Sequence, residues 1–119
     1  MTDTESKVRR IARWMGLHPM RHEAWSEDRG LAVLEVGPFR PHAPEGAIDR
    51  ERVARALRVP IQYSKDTKTG QHIVGILHFD GRHHILYEKY NESFGLAFIG
   101  AVDQWLDVLG REQPAGGGA

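Results

Sequence analysis

Histidine is the richest chemical signal in this sequence: seven occur in 119 residues, and there is no cysteine. Without thiolates, disulfide frameworks, Cys-based zinc sites, iron-sulfur clusters, thioredoxin-type redox chemistry and cysteine nucleophiles are excluded. Any metal site must then be built from imidazole and carboxylate. If Asp80-Gly81 forms a two-residue hairpin turn, His78 and His83 stand opposite each other on paired strands and supply two ligands. A stable site needs three or four, so the rest would come from His18, His22 or His42. His84 falls on the other face, and His72 lies far along the strand. His18-Pro-Met-Arg-His22 has an HxxxH spacing, but Pro19 interrupts the helix that would align the pair, and HExxH is absent.

A second constellation is basic. Arg50, Arg52, Arg55 and Arg58 spread around one short segment, with Lys65 and Lys68 beyond it. Such a helix can rest on phosphates. The run Arg52-Val-Ala-Arg-Ala-Leu-Arg-Val-Pro also resembles the start of a helix-turn-helix, but Arg58 stands where the turn glycine belongs and Ser64 where a buried aliphatic would anchor the second helix. Catalytic patterns are missing: none of the four serines lies in a GxSxG elbow, and none of the thirteen glycines builds a Walker loop. Asp103 and Asp107, four apart, read as the wet face of a helix, because nothing nearby would split their pKa values for acid-base work. No enzyme activity and no cofactor is expected.

The third candidate is the segment Gly37-Pro-Phe-Arg-Pro-His-Ala-Pro-Glu-Gly46, where three prolines and two glycines in ten residues disfavour regular structure. Phe39 sits among those prolines with no evident core of its own. It either tucks under the loop or offers an aromatic anchor, with Arg40 and His42 beside it, to another protein.

Several elements must position these groups. Val8, Ile11, Ala12 and Met15 repeat at helical spacing from Asp3 or Thr4 to Met15, and Gly16 stops that helix. Arg21–Ser26 and Leu31–Val36, around Glu27-Asp-Arg-Gly30, read as an antiparallel hairpin. Asp49 is the expected N-cap of a helix through Arg58 with Val53, Ala56 and Leu57 on its apolar side; Pro60 ends it. Ile61–Ser64 begins a strand.

The strongest local signal is a hairpin of His72–Phe79 and Arg82–Glu88, in which Phe79 faces Arg82, His78 faces His83 and Ile76 faces Ile85. Its two faces are both apolar midway, Val74 and Ile76 on one and Ile73, Leu77, Phe79 and Leu86 on the other, as in a sheet covered on both sides or forming an interface. Ser93 caps a closing helix from Phe94 to Leu109 with a stripe of Phe94, Phe98, Val102, Trp105, Leu106 and Leu109; Gly110 stops it.

The expected fold class is α+β: an antiparallel sheet containing the His72–Glu88 hairpin, packed by N- and C-terminal helices and a short middle helix. Residues 1–110 form one domain, and the Gly-rich residues 111–119 a disordered tail.

Sixteen Lys and Arg balance sixteen Asp and Glu, giving zero net charge and arguing against a globally basic nucleic-acid binder. The balance conceals a mildly basic middle, seven basic against four acidic over residues 40–68, and a mildly acidic end. No apolar run approaches a membrane span, and the polar start lacks a signal-peptide core. The sequence reads as cytoplasmic, with no membrane partner.

Val8-Arg-Arg-Ile-Ala-Arg-Trp-Met-Gly16, followed by strands and a closing helix Ala97–Leu109, resembles small phage-encoded accessory proteins with an alpha-beta-alpha sandwich. Those begin with an IA-x-x-(M/L)-G helix and end with an alanine-rich amphipathic one. The resemblance covers the two terminal segments and implies a viral or prophage origin and a non-enzymatic role; it carries no functional residues over.

The leading expectation is a small non-enzymatic protein-binding module of inhibitor, adaptor or chaperone type, with another protein as partner and a homodimer as one form. The alternatives are nucleic-acid binding through the Arg50–Arg58 helix and, second, metal binding through His78 and His83.

Overall fold

The computed structural model describes residues 1–20, 25–80 and 83–112, with side chains described for all of these except Asp80, residues 83–87 and residues 110–112. Residues 21–24 of the expected strand Arg21–Ser26 (His22 among them), Gly81 of the expected turn, Arg82, expected opposite Phe79, and tail residues 113–119 lie outside the described residues. The chain order is α1 (Asp3–Trp14), β1 (Leu31–Val33), β2 (Gly37–Phe39), α2 (Ala47–Leu57), β3 (Ile61–Lys65), β4 (His72–Asp80), β5 (His83–Asn91) and α3 (Phe94–Glu112). Three helices and two antiparallel sheets make the fold mixed α+β.

Local chemistry explains the helix ends. The Thr2 hydroxyl accepts the Glu5 N–H at 3.0 Å and caps α1, and Gly16 at φ +78 turns the chain away after Met15. Ser93 caps α3 by accepting the Leu96 N–H at 3.4 Å, while Asn91 Oδ1 accepts the Ser93 N–H at 2.9 Å. Gly110 does not stop α3, which continues to Glu112. A helix tolerates an interior glycine at about 1 kcal/mol.

Asp49 is not the N-cap of α2. The helix begins two residues earlier, capped by Gly46 without a side-chain bond, and Asp49 turns inward, buried, to accept the Arg40 N–H at 2.9 Å. Arg58 ends α2 in the left-handed conformation at φ 57. Val53 and Leu57 are buried as expected, but Ala56 is exposed.

The second strand of the expected first hairpin is shorter than Leu31–Val36. Among the described residues, Ser26 and Gly30 form an isolated bridge with Gly30 at φ +72, and the rest of the expected first strand lies outside them. β1 pairs with β2, in the register Leu31↔Phe39, Ala32↔Pro38, Val33↔Gly37. Regular structure therefore enters the proline segment. The Ala32 carbonyl accepts the Met20 N–H at 3.0 Å, so the Ala32 backbone faces residues 18–20, and Pro38 owes β1 no donor.

The larger sheet has the order β3-β4-β5. Its hairpin register is two residues away from expectation: Phe79 pairs with His84, His78 with Ile85, Asp80 with His83 and Ile76 with Tyr87. Asp80 joins the ladder instead of the turn, and each strand runs longer, β5 reaching Asn91. An offset of two preserves the alternation of β4.

One core joins these elements. Val8, Ile11 and Ala12 of α1, Leu31, Val33 and Phe39 of the small sheet, Val53 and Leu57 of α2, Val74 and Ile76 of β4, and Phe98, Val102, Trp105 and Leu106 of α3 are all buried in it. α3 lies between the three-stranded sheet and α1. The α1–α3 seam holds an edge-to-face Trp14–Trp105 pair at 6.0 Å, and Arg10 bridges Asp103 at 3.0 Å and Asp107 at 2.7 Å. The two aspartates expected on a wet face thus meet an arginine from the other end of the chain.

Candidate functional site

The proline segment is a folded plug. Arg50 reaches back from α2 and donates to the carbonyls of Pro41 at 3.1 Å, Ala43 at 2.6 Å and Pro44 at 3.4 Å, while its guanidinium lies 5.1 Å from the Phe94 ring centroid. The Ala43 carbonyl also accepts the Gly46 N–H at 3.0 Å, and a planar five-donor fork suits three carbonyls clustered in this way. Desolvation by burial lowers the Arg50 pKa from its ordinary value, partly offset by the nearby Tyr63 and Asp49. Burial likewise raises the Tyr63 phenol, and Arg50 moderates the rise.

The residues expected to present this loop to a partner do not do so. Phe39 is fully buried in the core, opposite Leu31, and offers no anchor. Arg40 gives its backbone N–H to Asp49 and its side chain to the Asp28 carbonyl at 3.4 Å. His42 is only 5% exposed. Its Nε2 lies 2.7 Å from the Glu27 carbonyl, which requires the Nε2–H form, and its ring packs 5.0 Å from that of Trp25. Among the described residues, His42 Nδ1 and Trp25 Nε1 are both buried without hydrogen-bond partners. The plug also packs closely on α3: a Cβ at Gly95 would lie 2.0 Å from the His42 carbonyl oxygen.

The basic constellation is largely spent on the protein itself. Besides Arg50, Arg52 pairs with Asp49 at 2.7 Å and Arg55 with Glu51 at 2.6 Å. Arg58, Lys65 and Lys68 stay exposed, on a helix end, a strand and a loop respectively. The six cations expected to act together thus do not form one phosphate-facing helix surface.

The register separates His78 from His83, which occupy diagonal positions instead of facing ones. His18 gives its backbone N–H to Glu35 Oε1 at 2.8 Å and sets its ring against Oε2. The His18 ring, then its backbone N–H, holds the Glu35 carboxyl below the ordinary range. Among the described residues, no three His, Asp or Glu side chains gather to hold a metal ion.

What remains is the face of the three-stranded sheet turned away from α3. Tyr63 and His72 lie 5.3 and 5.7 Å from Phe94, and the Lys89 stem lies along Gly100, so α3 covers the face that carries Val74 and Ile76. Alternation sends Ile73, Gly75, Leu77 and Phe79 to the other face, with Gln62 and Ser64 of β3 on one side and Glu88 and Tyr90 of β5 on the other. Ile73 and Leu77 are half-buried, Phe79 is 59% exposed and Tyr90 50%. Among the described residues, no helix packs on this face.

The apolar alternation of Ile73, Leu77 and Phe79 is visible in the sequence. Tyr90 is not, because the strand is expected to end at Glu88. The Tyr90 hydroxyl donates to Glu88 at 2.7 Å, which raises the phenol's pKa. No described helix is long and apolar enough to cross a membrane. Comparison of the chain with family models, curated proteins and solved structures finds no match.

Proposed function

We propose that this chain is a small non-enzymatic protein-binding module, of inhibitor, adaptor or chaperone type, that docks a partner protein on the uncovered face of its three-stranded sheet. One observation carries the reading: a row of apolar side chains, Ile73, Leu77 and Phe79, runs along the central strand with no helix over it, and Tyr90 extends it. A sheet face of that composition gains by burial, at roughly 25 cal/mol per Å² of apolar surface removed from water. The docking surface thus lies on the sheet, while the Phe39 loop serves the core. The cysteine-free composition fits a reducing, cytoplasmic setting, and the terminal-helix resemblance fits a phage or prophage source.

Affinity capture from the native host, compared between variants, tests this reading. Phe79→Asp places a charge on the proposed surface, at its turn end; Leu34→Asp places one on an exposed residue of the small-sheet loop. The expected result is a protein retained by the unmodified chain and by Leu34→Asp but lost with Phe79→Asp. Equal retention by both variants, or no retained protein, refutes the assignment.

A further inference from the structure

We infer that β5 pairs edge to edge with β5 of a second copy of this chain, antiparallel about a two-fold axis, so that two three-stranded sheets become one of six strands. The inference deepens the reading of the sheet face as a docking surface and rests on it for its purpose. Its geometry stands on three separate observations.

The first is the direction of the backbone. The Leu77 N–H donates to the Pro60 carbonyl at 3.0 Å, so Ile73, Gly75, Leu77 and Phe79 turn their backbone groups toward β3, and the alternate residues of β4 turn theirs toward β5. Their partners Lys89, Tyr87, Ile85 and His83 answer them. Residues 84, 86, 88 and 90 therefore turn their N–H and C=O groups to the outer edge. Among the described residues, the extensive packing on β5 comes from β4 and α3.

The second is the contrast between edges. Natural sheets blunt an edge by keeping it short or by placing Pro, Lys or a bulge on it. β3 is five residues long, begins after Pro60, ends on Lys65 and is followed by exposed Lys68; β2 is three residues long and carries Pro38. β5 is nine residues long with an unbroken register and contains neither Pro nor Gly. Its one lysine, Lys89, lies on the helix-covered face, where its stem meets the position of a Gly100 Cβ at 3.4 to 3.9 Å.

The third is area. Two strands of about 30 Å and one of about 17 Å, about 4.8 Å apart, give a face with a footprint of roughly 400 Å². A standard protein–protein interface takes about 800 Å² from each partner. One sheet is too small, and two joined edge to edge present a face of the required size.

Like charge disfavours one register. Antiparallel pairs share a face, and centring the axis on Glu88 would set two carboxylates opposite each other. Centring it on Leu86 places Glu88 opposite position 84 of the other copy, a histidine, on both sides of the axis.

Light scattering coupled to size exclusion, run on the full chain over a concentration series, reads the assembly. The expected mass is twice 13.5 kDa. Glu88→Pro removes an outward-facing N–H and no bond to β4, so it is expected to weaken dimerisation at least tenfold while the far-ultraviolet circular dichroism is unchanged. A second arm keeps the outcome decisive if that variant does not fold: in a chain without cysteine, Leu86→Cys is expected to oxidise to a covalent dimer and Lys89→Cys is not.

A monomer at millimolar concentration, a folded Glu88→Pro that stays dimeric, or equal cross-linking at positions 86 and 89 overturns the inference. A monomer that still retains its partner through Phe79 refutes the β5 pairing alone. A dimer that retains nothing refutes the docking reading alone.

Discussion

Replacing Gly95 by alanine sets two effects of opposite sign against each other inside α3. Alanine is the better helix former, by up to about 1 kcal/mol. The added Cβ, however, would lie 2.0 Å from the His42 carbonyl oxygen and 2.5 Å from its carbon. Both atoms are backbone, and the loop that carries them is held on either side by the Arg50 bonds to the Pro41 and Ala43 carbonyls. The loop cannot yield without loosening those bonds, and overpacking of this kind costs about 1–3 kcal/mol or more.

With the propensity gain deducted, the expected net loss for Gly95→Ala is about 2 kcal/mol, near the upper part of that range. Gly100→Ala, five residues along the same helix, is the control. There the Cβ would meet the Lys89 Cγ at 3.4 Å, the stem of a flexible side chain, so the helix-propensity gain of about 0.5–1 kcal/mol survives. For a chain of this length about 1 kcal/mol moves Tm by about 4 °C. Gly95→Ala should therefore lower Tm by about 8 °C and Gly100→Ala raise it by about 2–4 °C. Thermal unfolding of all three proteins at one concentration, followed by circular dichroism, is the assay. A Gly95→Ala protein as stable as the parent, or two shifts of the same sign, refutes the close-approach argument.

Three further outcomes follow from the packing and the charges. Phe39→Ala should cost about 3–5 kcal/mol in urea denaturation, as removal of a fully buried aromatic does, whereas an exposed anchor would cost almost nothing. Arg50→Ala should cost about 2 kcal/mol, scaled down because the group is partly solvated, and Arg50→Lys should recover little of it. An ammonium cannot span three carbonyls and lie on a ring as the guanidinium does; full recovery by lysine would refute the clasp. Because His18 lowers the folded-state pKa of Glu35, the pair stabilises the protein above the ordinary carboxylate range and loses that contribution as pH falls through the lowered value. A carboxyl NMR titration should show Glu35 returning upward in His18→Ala, and an unchanged titration would contradict the pairing.

The elements with strong local signals were legible before any coordinates. α1 shows its period in Val8, Ile11 and Ala12 and its end in Gly16, and Ser93 marks the start of α3. The central hairpin was legible as a pair of strands but not in register, because Asp80-Gly81 is favourable turn chemistry locally, while the ladder gains by extending through Asp80. The plug was not legible at all. Arg50 and the carbonyls it holds lie six to nine residues apart, and no periodicity or cap marks that contact. Phe39 looked unsupported for the same reason: its partner Leu31 and the α3 core come from segments that only the tertiary fold brings beside it. The candidate site was half legible. Alternation placed Ile73, Leu77 and Phe79 on one face, but whether a helix covers that face depends on which side α3 takes.

The seam between α1 and α3 ties the first helix to the last, with Arg10 and Asp103 separated by 93 residues. During synthesis at about 5–20 residues per second, α1 leaves the ribosome about 5–20 s before the helix that buries it exists. For that interval Val8 and Ile11 lack the α3 side chains that complete their burial, while the β3-β4-β5 meander can already close on its own neighbours. The apolar face of α1 is therefore completed only when α3, the helix 93 residues on along the Arg10–Asp103 bridge, has been made.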